Sequence, residues 1–205
     1  MTERERDERR RSPTAIGVIA AAMLGIGLAG CSSLGGASPV DTFDLTAPGA
    51  ATRTTGRTLQ ILVPEPVVDR AYDGDRLVVR PSATEIAYFS GAQWSDRLPR
   101  LVQSRLIEAL ERSGRVRAVG RPGQGLAIDR QLVVDLRSFD YRPAEGRVRV
   151  AATVREMDDR SGRIRATRDF EAEAPVAGDT APAVVRGFDA AFGEVLTAIV
   201  GWVGR

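Results

Sequence analysis

The sequence predicts an α+β fold in which an antiparallel or mixed β-sheet carries two amphipathic helices packed on one face. Short segments of alternating apolar and polar residues recur between residues 59 and 175, which is the period of strands with one buried face. Two other segments, 97–113 and 180–202, repeat their apolar residues at three- and four-residue steps, as helices do. A length of 205 residues suits one ordinary domain plus a targeting segment.

Residues 1–30 have the organisation of a bacterial signal peptide. Three arginines at positions 9–11 precede an apolar run of 16 residues at 15–30. This run is shorter than the roughly 20 residues that a transmembrane helix needs, so a retained anchor is the weaker alternative. A twin-arginine signal is also weaker, because no hydrophobic consensus follows the arginines.

The apolar run ends in Leu28, Ala29 and Gly30 before Cys31, which matches the bacterial lipobox. We therefore expect cleavage before Cys31 and attachment of diacylglycerol and an N-acyl chain to it, rather than a coincidental cysteine after an ordinary signal. Several acyl chains anchor a protein stably, at about 0.8 kcal/mol per buried CH₂. The next residue is Ser and not Asp, and by similarity to enterobacterial lipoproteins this favours the periplasmic face of the outer membrane over the inner membrane.

Residues 31–56 are rich in Ser, Gly, Ala, Thr and Pro, which predicts a lipidated flexible tether. The single folded domain is then expected at 57–205. Two apolar residues at strand spacing within 40–46 leave open a short edge strand at the start of the domain. Without that strand the fold begins at about Thr58.

Short strands and one helix are predicted in the first half of the domain. The strands are expected at 59–63, 76–80, 85–89 and 115–119, the first two ending at prolines. The helical pattern of 97–113 predicts an amphipathic helix with Ser95 or Asp96 as its N-cap and Gly114 as its terminator. Pro99 is compatible with the first turn of this helix.

A meander of three longer strands and a final helix are predicted in the second half. Apolar alternation defines these strands at 132–141, 148–154 and 164–172, with turns at 142–146 and 158–162. The alternation slips phase in the first of them, which predicts a bulge near Arg137 and Ser138. The helix from Asp179 or Thr180 to Trp202 is expected to cover the dry face of the sheet beside the first helix.

Composition excludes several classes of function. The chain has no His and one Cys, which excludes His-based catalytic triads, Cys/His dyads, the usual zinc sites and an internal disulfide. Removing residues 1–30 leaves 24 basic and 23 acidic residues, a balance that argues against nucleic-acid binding. Asp69, Asp73 and Asp75 lack the bidentate Glu of a calcium loop, so we predict no metal site. The sequence has no recognisable motif for the remaining routes to catalysis, so we do not predict an enzyme.

The candidate contact residues for a protein partner are Tyr88, Phe89, Trp94 and Arg97. Three of the chain's 11 aromatic residues fall within seven positions, just before the first helix. Tyr and Trp combine a large apolar area with a polar tip, which suits them to interfaces. The alternative for each aromatic residue is that it fills the core at the end of the helix.

The stretch 62–140 resembles the ABC-type transport auxiliary lipoproteins of the paraquat-inducible and toluene-tolerance type. The segments that carry the resemblance are PEP at 64–66, the pair Asp75 and Arg76, EIAYFSGAQW at 85–94, DRLPRLVQ at 96–103 and GRPGQGLA at 120–127. They occur in the family's order, and the lipobox precedes them.

This resemblance implies an accessory lipoprotein of a transport system built from a permease, an ATPase and an MCE (mammalian cell entry) domain protein. Such a system moves phospholipid or other hydrophobic molecules across the envelope, and the MCE-domain protein is the expected partner. The expected role is scaffolding or docking, with the lipid anchor holding the membrane and no cofactor beyond the covalent lipid. A periplasmic lipid-binding carrier with its own acyl-chain pocket is the alternative, and homo-oligomerisation is left open.

Overall fold

The computed structural model describes residues 40–49 and 59–204, which form an α+β domain. Its strands are β1 Asp41–Phe43, β2 Gln60–Leu62, β3 Val67–Val68, β4 Arg76–Val79, β5 Ala87–Trp94, β6 Ala118–Gly120, β7 Arg130–Arg142, β8 Arg147–Asp158 and β9 Ile164–Pro175. Its helices are α1 Leu98–Ser113 and α2 Ala181–Trp202, and a 3₁₀ turn lies at Arg70–Tyr72. The predicted fold class is confirmed.

Strand β7 organises a curled mixed sheet of nine strands. Three short strands, β2, β3 and β4, pair in parallel with successive parts of β7. Strand β8 pairs antiparallel with the whole length of β7, and β9 pairs antiparallel with β8. The sheet is completed by β5 and β1 beyond β4, and by β6 beyond β2. Of the two predicted arrangements, the mixed sheet is therefore the one observed.

The predicted meander and its bulge are confirmed. The β7–β8 register shifts between Leu136 and Ser138, so that Arg137 is the extra residue. After the bulge, Phe139 and Tyr141 face the core, as the slipped pattern predicts. In β9 the prediction is less accurate, since Ile164 is 56% exposed while Phe170 and Ala174 are buried. The first residues of this strand stay paired with β8 but lie outside the core, whereas Phe170 contacts Trp202 of α2.

Helix α1 begins and ends near the predicted positions, but its first turn is satisfied differently. Arg97 occupies the N-cap position and makes no side-chain cap hydrogen bond, so the prediction of Ser95 or Asp96 was wrong. The Leu98 amide donates instead to the Gly74 carbonyl at 2.8 Å. Gly114 ends the helix with φ of 62°, a left-handed conformation that a glycine adopts without strain.

Helix α2 packs on β7, β8 and β9 with the apolar face that its sequence predicts. The buried residues of this face are Val184, Val185, Phe188, Ala191, Phe192, Val195, Leu196 and Ile199. Gly187 allows the close approach, because a Cβ atom there would lie 2.9 Å from Val176 Cγ2 and 3.2 Å from Val148 Cγ2. Neither α1 nor α2 combines the length and apolarity that crossing a bilayer requires.

Residues 40–49 belong to the domain. Strand β1 pairs in parallel with β5, and Leu45 is 1% exposed within the core. Beyond Leu45, Asp189 of α2 accepts hydrogen bonds from the Thr46 amide at 2.7 Å and from its hydroxyl. The edge strand that the sequence left open is therefore observed, and the boundary at residue 57 assigned this segment wrongly to the tether. The Ala, Pro and Thr content of this segment is typical of a tether, whereas Leu45 is buried in the core and Phe43 is partly buried against it.

Candidate functional site

Trp94, one of the four predicted contact residues, lies in the core. Its side chain is 2% exposed, and its ring meets Phe139 edge-to-face at 5.9 Å and Phe188 at 5.3 Å. Phe139 and Phe188 stack on each other at 4.9 Å. Trp94 is thus unable to contact a partner, and its assignment to the docking surface is corrected. It ends β5 on the face that the helices cover, where an indole fills the space between sheet and α2.

Tyr88 and Phe89 are half-buried and pack against the core from the start of β5. The Arg76 guanidinium of β4 lies over the Tyr88 ring, 3.5 Å from the ring centroid. Successive residues of a strand point to opposite faces, so the two rings do not form one patch. Of this pair, Tyr88 carries its hydroxyl on the sheet face that also bears Arg76.

Arg97 is 44% exposed and joins the start of α1 to the loop before β4. Its guanidinium pairs with Asp73 and, at 3.1 Å, with Glu65. Arg100 approaches the same Glu65 carboxylate at 3.9 Å. The hydrogen bond to Asp73 raises the pKa of Arg97 further above its ordinary value. The exposed Arg97 side chain of the predicted contact residues is therefore already paired with carboxylates of the same domain.

A buried carboxylate that the sequence analysis did not single out lies at the carboxyl end of β7. Asp140 is 0% exposed and accepts hydrogen bonds from the Tyr72 hydroxyl at 2.9 Å and from Ser138. Arg142 Nε donates to it at 2.9 Å, and Arg80 Nε lies 3.5 Å away. A buried charge is tolerated when it is paired and hydrogen-bonded in this way.

The polar groups around Asp140 fix two arginines. Because β4 and β7 run parallel with Val79 opposite Tyr141, Arg80 and Arg142 emerge side by side at the ends of the two strands. The Tyr72 hydroxyl also accepts from Arg80 Nη2 at 3.2 Å. Burial raises the pKa of Tyr72, which keeps the phenol neutral and able to donate. The signal in the sequence was an Asp between two aromatic residues in an apolar strand.

A cavity of about 450 Å³ adjoins this cluster. Four arginines line it, Arg80, Arg137, Arg142 and Arg149, together with Glu145. Among the described residues no group of three or more His, Cys, Asp or Glu side chains is arranged to hold a metal ion. The predicted lipidation site, Cys31, and its lipobox residues Leu28, Ala29 and Gly30 lie outside the described residues.

By its fold and surface, the protein is a small α+β domain with an aromatic core, ion-paired charged groups and open polar cavities. A family model described as ABC-type transport auxiliary lipoprotein component matches residues 43–200. The chain belongs to this family, which confirms the resemblance found in its sequence. The family's description names a lipoprotein component that is auxiliary to ABC-type transport.

One curated protein and two solved structures are similar to this chain. An uncharacterised protein of Bradyrhizobium diazoefficiens, bll6063, is 31% identical over 182 residues, which is 85% of this chain and 48% of that protein. The chain thus spans about half the length of this curated relative. The crystal structure of XCC0632 from Xanthomonas campestris is similar with a TM-score of 0.70 and 26% identity, covering 78% of this chain and 93% of that one.

A second solved structure, described as an uncharacterised protein, has the same fold. Its TM-score is 0.63 at 16% identity, with 81% of this chain and 99% of that one covered.

Proposed function

We propose that this protein is a lipid-anchored periplasmic accessory of an MCE-type ABC transport system, in which it acts as a scaffold or docking component. The observation that carries the proposal is the family match over residues 43–200. The transported molecules would be phospholipids or other hydrophobic compounds, and the partner would be the MCE-domain protein. The lipobox ending at Cys31 supports anchoring at the periplasmic face, with the outer membrane favoured.

The proposed docking surface consists of Tyr88 and Arg97, and Phe89, on the opposite face of β5, is left out of it. Tyr88 retains partial exposure, and Arg97 is 44% exposed at the start of α1. Tyr and Arg are enriched among the side chains that dominate protein interfaces. Asp73 and Glu65 hold the Arg97 guanidinium in place, which reduces the entropy that a partner would have to remove.

Co-purification from membranes tests this surface. The full-length lipoprotein is captured with its MCE-domain protein, and the wild type is compared with Tyr88→Ala and Arg97→Ala. We expect recovery of the MCE-domain protein to fall by at least about tenfold, the effect of losing one dominant interface side chain. Neither substitution removes a core side chain, so both variants should accumulate normally.

The matched controls are Ile164→Ala and Arg165→Ala on β9. These side chains are 56% and 54% exposed, more exposed than the test residues, and lie on β9, which does not pair with β5. Their recovery of the MCE-domain protein should equal that of the wild type. Unchanged recovery with Tyr88→Ala and Arg97→Ala would refute this docking surface, and absence of the MCE-domain protein from wild-type samples would refute the partnership.

The alternative function, a carrier with an acyl-chain pocket between helices and sheet, gains no support from the core. That interface is filled by the stacked and edge-to-face rings of Trp94, Phe139, Phe188 and Phe192. Their neighbours Leu98, Leu106 and Leu132 are at most 1% exposed. Admitting an acyl chain there would require these side chains to separate.

A further inference from the structure

The cavity beside Asp140 lies on the sheet face away from the helices. Phe139 and Tyr141 of β7 point into the core under the helices, so Ser138, Asp140 and Arg142 point to the opposite face. Arg149 of β8 is the register partner of Asp140 and shares that face. The bulge at Arg137 adds a further guanidinium to the cavity wall.

Guanidinium groups predominate among the charged groups that line the cavity. Four guanidinium groups line it against one carboxylate, that of Glu145. Asp140 is 0% exposed and is not part of the lining, so its carboxylate pairs with Arg80 and Arg142 without facing the cavity. The other acidic partners, Asp135 for Arg137 and Glu171 for Arg149, also lie outside the lining.

Two of the four guanidiniums are positioned in advance. Arg142 donates through Nε to Asp140, while Arg80 donates through Nε and Nη2 to the Tyr72 hydroxyl. Their side chains are 22% and 25% exposed, which leaves them confined but accessible from the cavity. Each guanidinium has five N–H donors, so these internal contacts leave donors for a ligand.

We propose that this cavity binds a phosphate group. Guanidiniums from the end of β4, from β7 and from β8 line one cavity and can bind the several oxygens of a tetrahedral phosphate anion, whereas a single carboxylate needs only one guanidinium. The volume of about 450 Å³ accommodates a phosphate together with a small attached group. The phosphate belongs either to a phospholipid head group or to free phosphate. The proposal does not depend on the MCE partnership.

Isothermal titration calorimetry of the full-length protein in non-ionic, phosphate-free detergent tests the proposal. The two titrants are inorganic phosphate and short-chain dihexanoyl phosphatidylglycerol. We expect a Kd of about 1 mM or tighter for at least one of them. Tighter binding of the lipid by about tenfold or more assigns the site to a head group, and equal or weaker binding assigns it to free phosphate.

The test variant is Arg137→Gln with Arg149→Gln, and the matched control is Arg163→Gln with Arg165→Gln. All four side chains are partly or largely exposed, so the substitutions spare the Asp140 cluster and the core. The control removes the same charge near the other end of β8, about 25 Å away. We expect binding to weaken at least about tenfold in the test variant and to be unchanged in the control.

Two results would overturn the proposal. One is the absence of binding heat with both titrants. The other is equal binding by the test and control variants, which would show that any association follows net charge or detergent partition and not this cavity. Thermal melting of each variant verifies that it is folded.

Discussion

At the scale of single residues, the sequence predicts an aromatic cluster that includes Trp94 but does not predict whether Trp94 is buried or exposed. An aromatic cluster beside a helix is compatible with an interface and with a core, because both bury large apolar side chains. The choice depends on which face of β5 each residue occupies, and this is set by pairing with β4, whose register shifts between Arg76 and Val78, and with β1, which is distant in sequence. Trp94 falls on the helix side and Tyr88 on the other.

Replacing Trp94 by Ala should destabilise the domain by about 3–5 kcal/mol, since it removes a ring that contacts Phe139 and Phe188 and leaves a cavity. Urea unfolding followed by circular dichroism measures this change. The control is Trp202→Ala, whose half-buried ring lies at the C-terminal end of α2 and meets Phe170 edge-to-face at 5.7 Å. A loss with Trp94→Ala no greater than that with Trp202→Ala would contradict the assignment of Trp94 to the core.

At the scale of elements, the long strands and both helices could be predicted, because each has a sustained period of its own. The bulge near Ser138 was also predictable, since it displaces the alternation of β7 by one residue. Strand β3, with two residues, and the 3₁₀ turn at Arg70–Tyr72 have no period to detect and were missed. They are formed by pairing with β7 and by burial of Tyr72 against Asp140.

The same dependence on distant contacts explains the missed polar cluster. Asp140 lies 68 residues after Tyr72 and is similarly distant from Arg80, so no local motif relates the carboxylate to its partners. The parallel pairing of β4 with β7 brings them together. Cys31 and its lipobox, in contrast, are a contiguous signal, so their assignment rests on the sequence and stays a prediction.

Two glycines of α2 should respond in opposite directions to substitution by Ala. Gly187→Ala places a methyl group 2.9 Å from Val176 Cγ2 and should cost about 1–3 kcal/mol. Gly193→Ala meets nothing within 4 Å and should stabilise the helix by about 0.5–1 kcal/mol through propensity alone. Urea midpoints of the two variants measure the difference. Equal effects would show that α2 does not approach β8 as closely as described.

At the scale of the whole molecule, the attachment of residues 40–49 to the rest of the domain includes a charge pair. Asp44 lies 2.7 Å from Arg105 Nη2 on α1. Partial burial by itself would raise the pKa of Asp44, but hydrogen bonds from Arg105 and the Leu45 amide lower it overall below 3.8. The ionised carboxylate is therefore favoured in the folded state.

The attachment of residues 40–49 should accordingly weaken in acid. A carboxyl group whose pKa is lowered by folding contributes stability above its unfolded pKa, and this contribution is lost as the pH falls through the folded value. Hydrogen exchange at the Ser95 amide, which donates to the Phe43 carbonyl, measures the opening of this segment. We expect faster opening below about pH 3.8 in the wild type.

Asp44→Asn provides the comparison for this prediction. It should open faster than the wild type at neutral pH, by the equivalent of about 0.2–1 kcal/mol for an exposed pair, and respond less to acid. Arg105 also pairs with Glu108, so α1 itself should stay intact in the variant. Identical pH profiles for the two proteins would contradict a role for Asp44.

The inclusion of β1 in the domain sets a limit on how far the protein can reach. Only nine residue steps separate Cys31 from Val40, and even a fully extended chain of that length covers about 30 Å. A tether running to residue 56 would have covered about 85 Å. If acyl chains hold Cys31, the body of the protein stays close to the bilayer in which they sit, and any transporter subunit has to come to that surface to meet it.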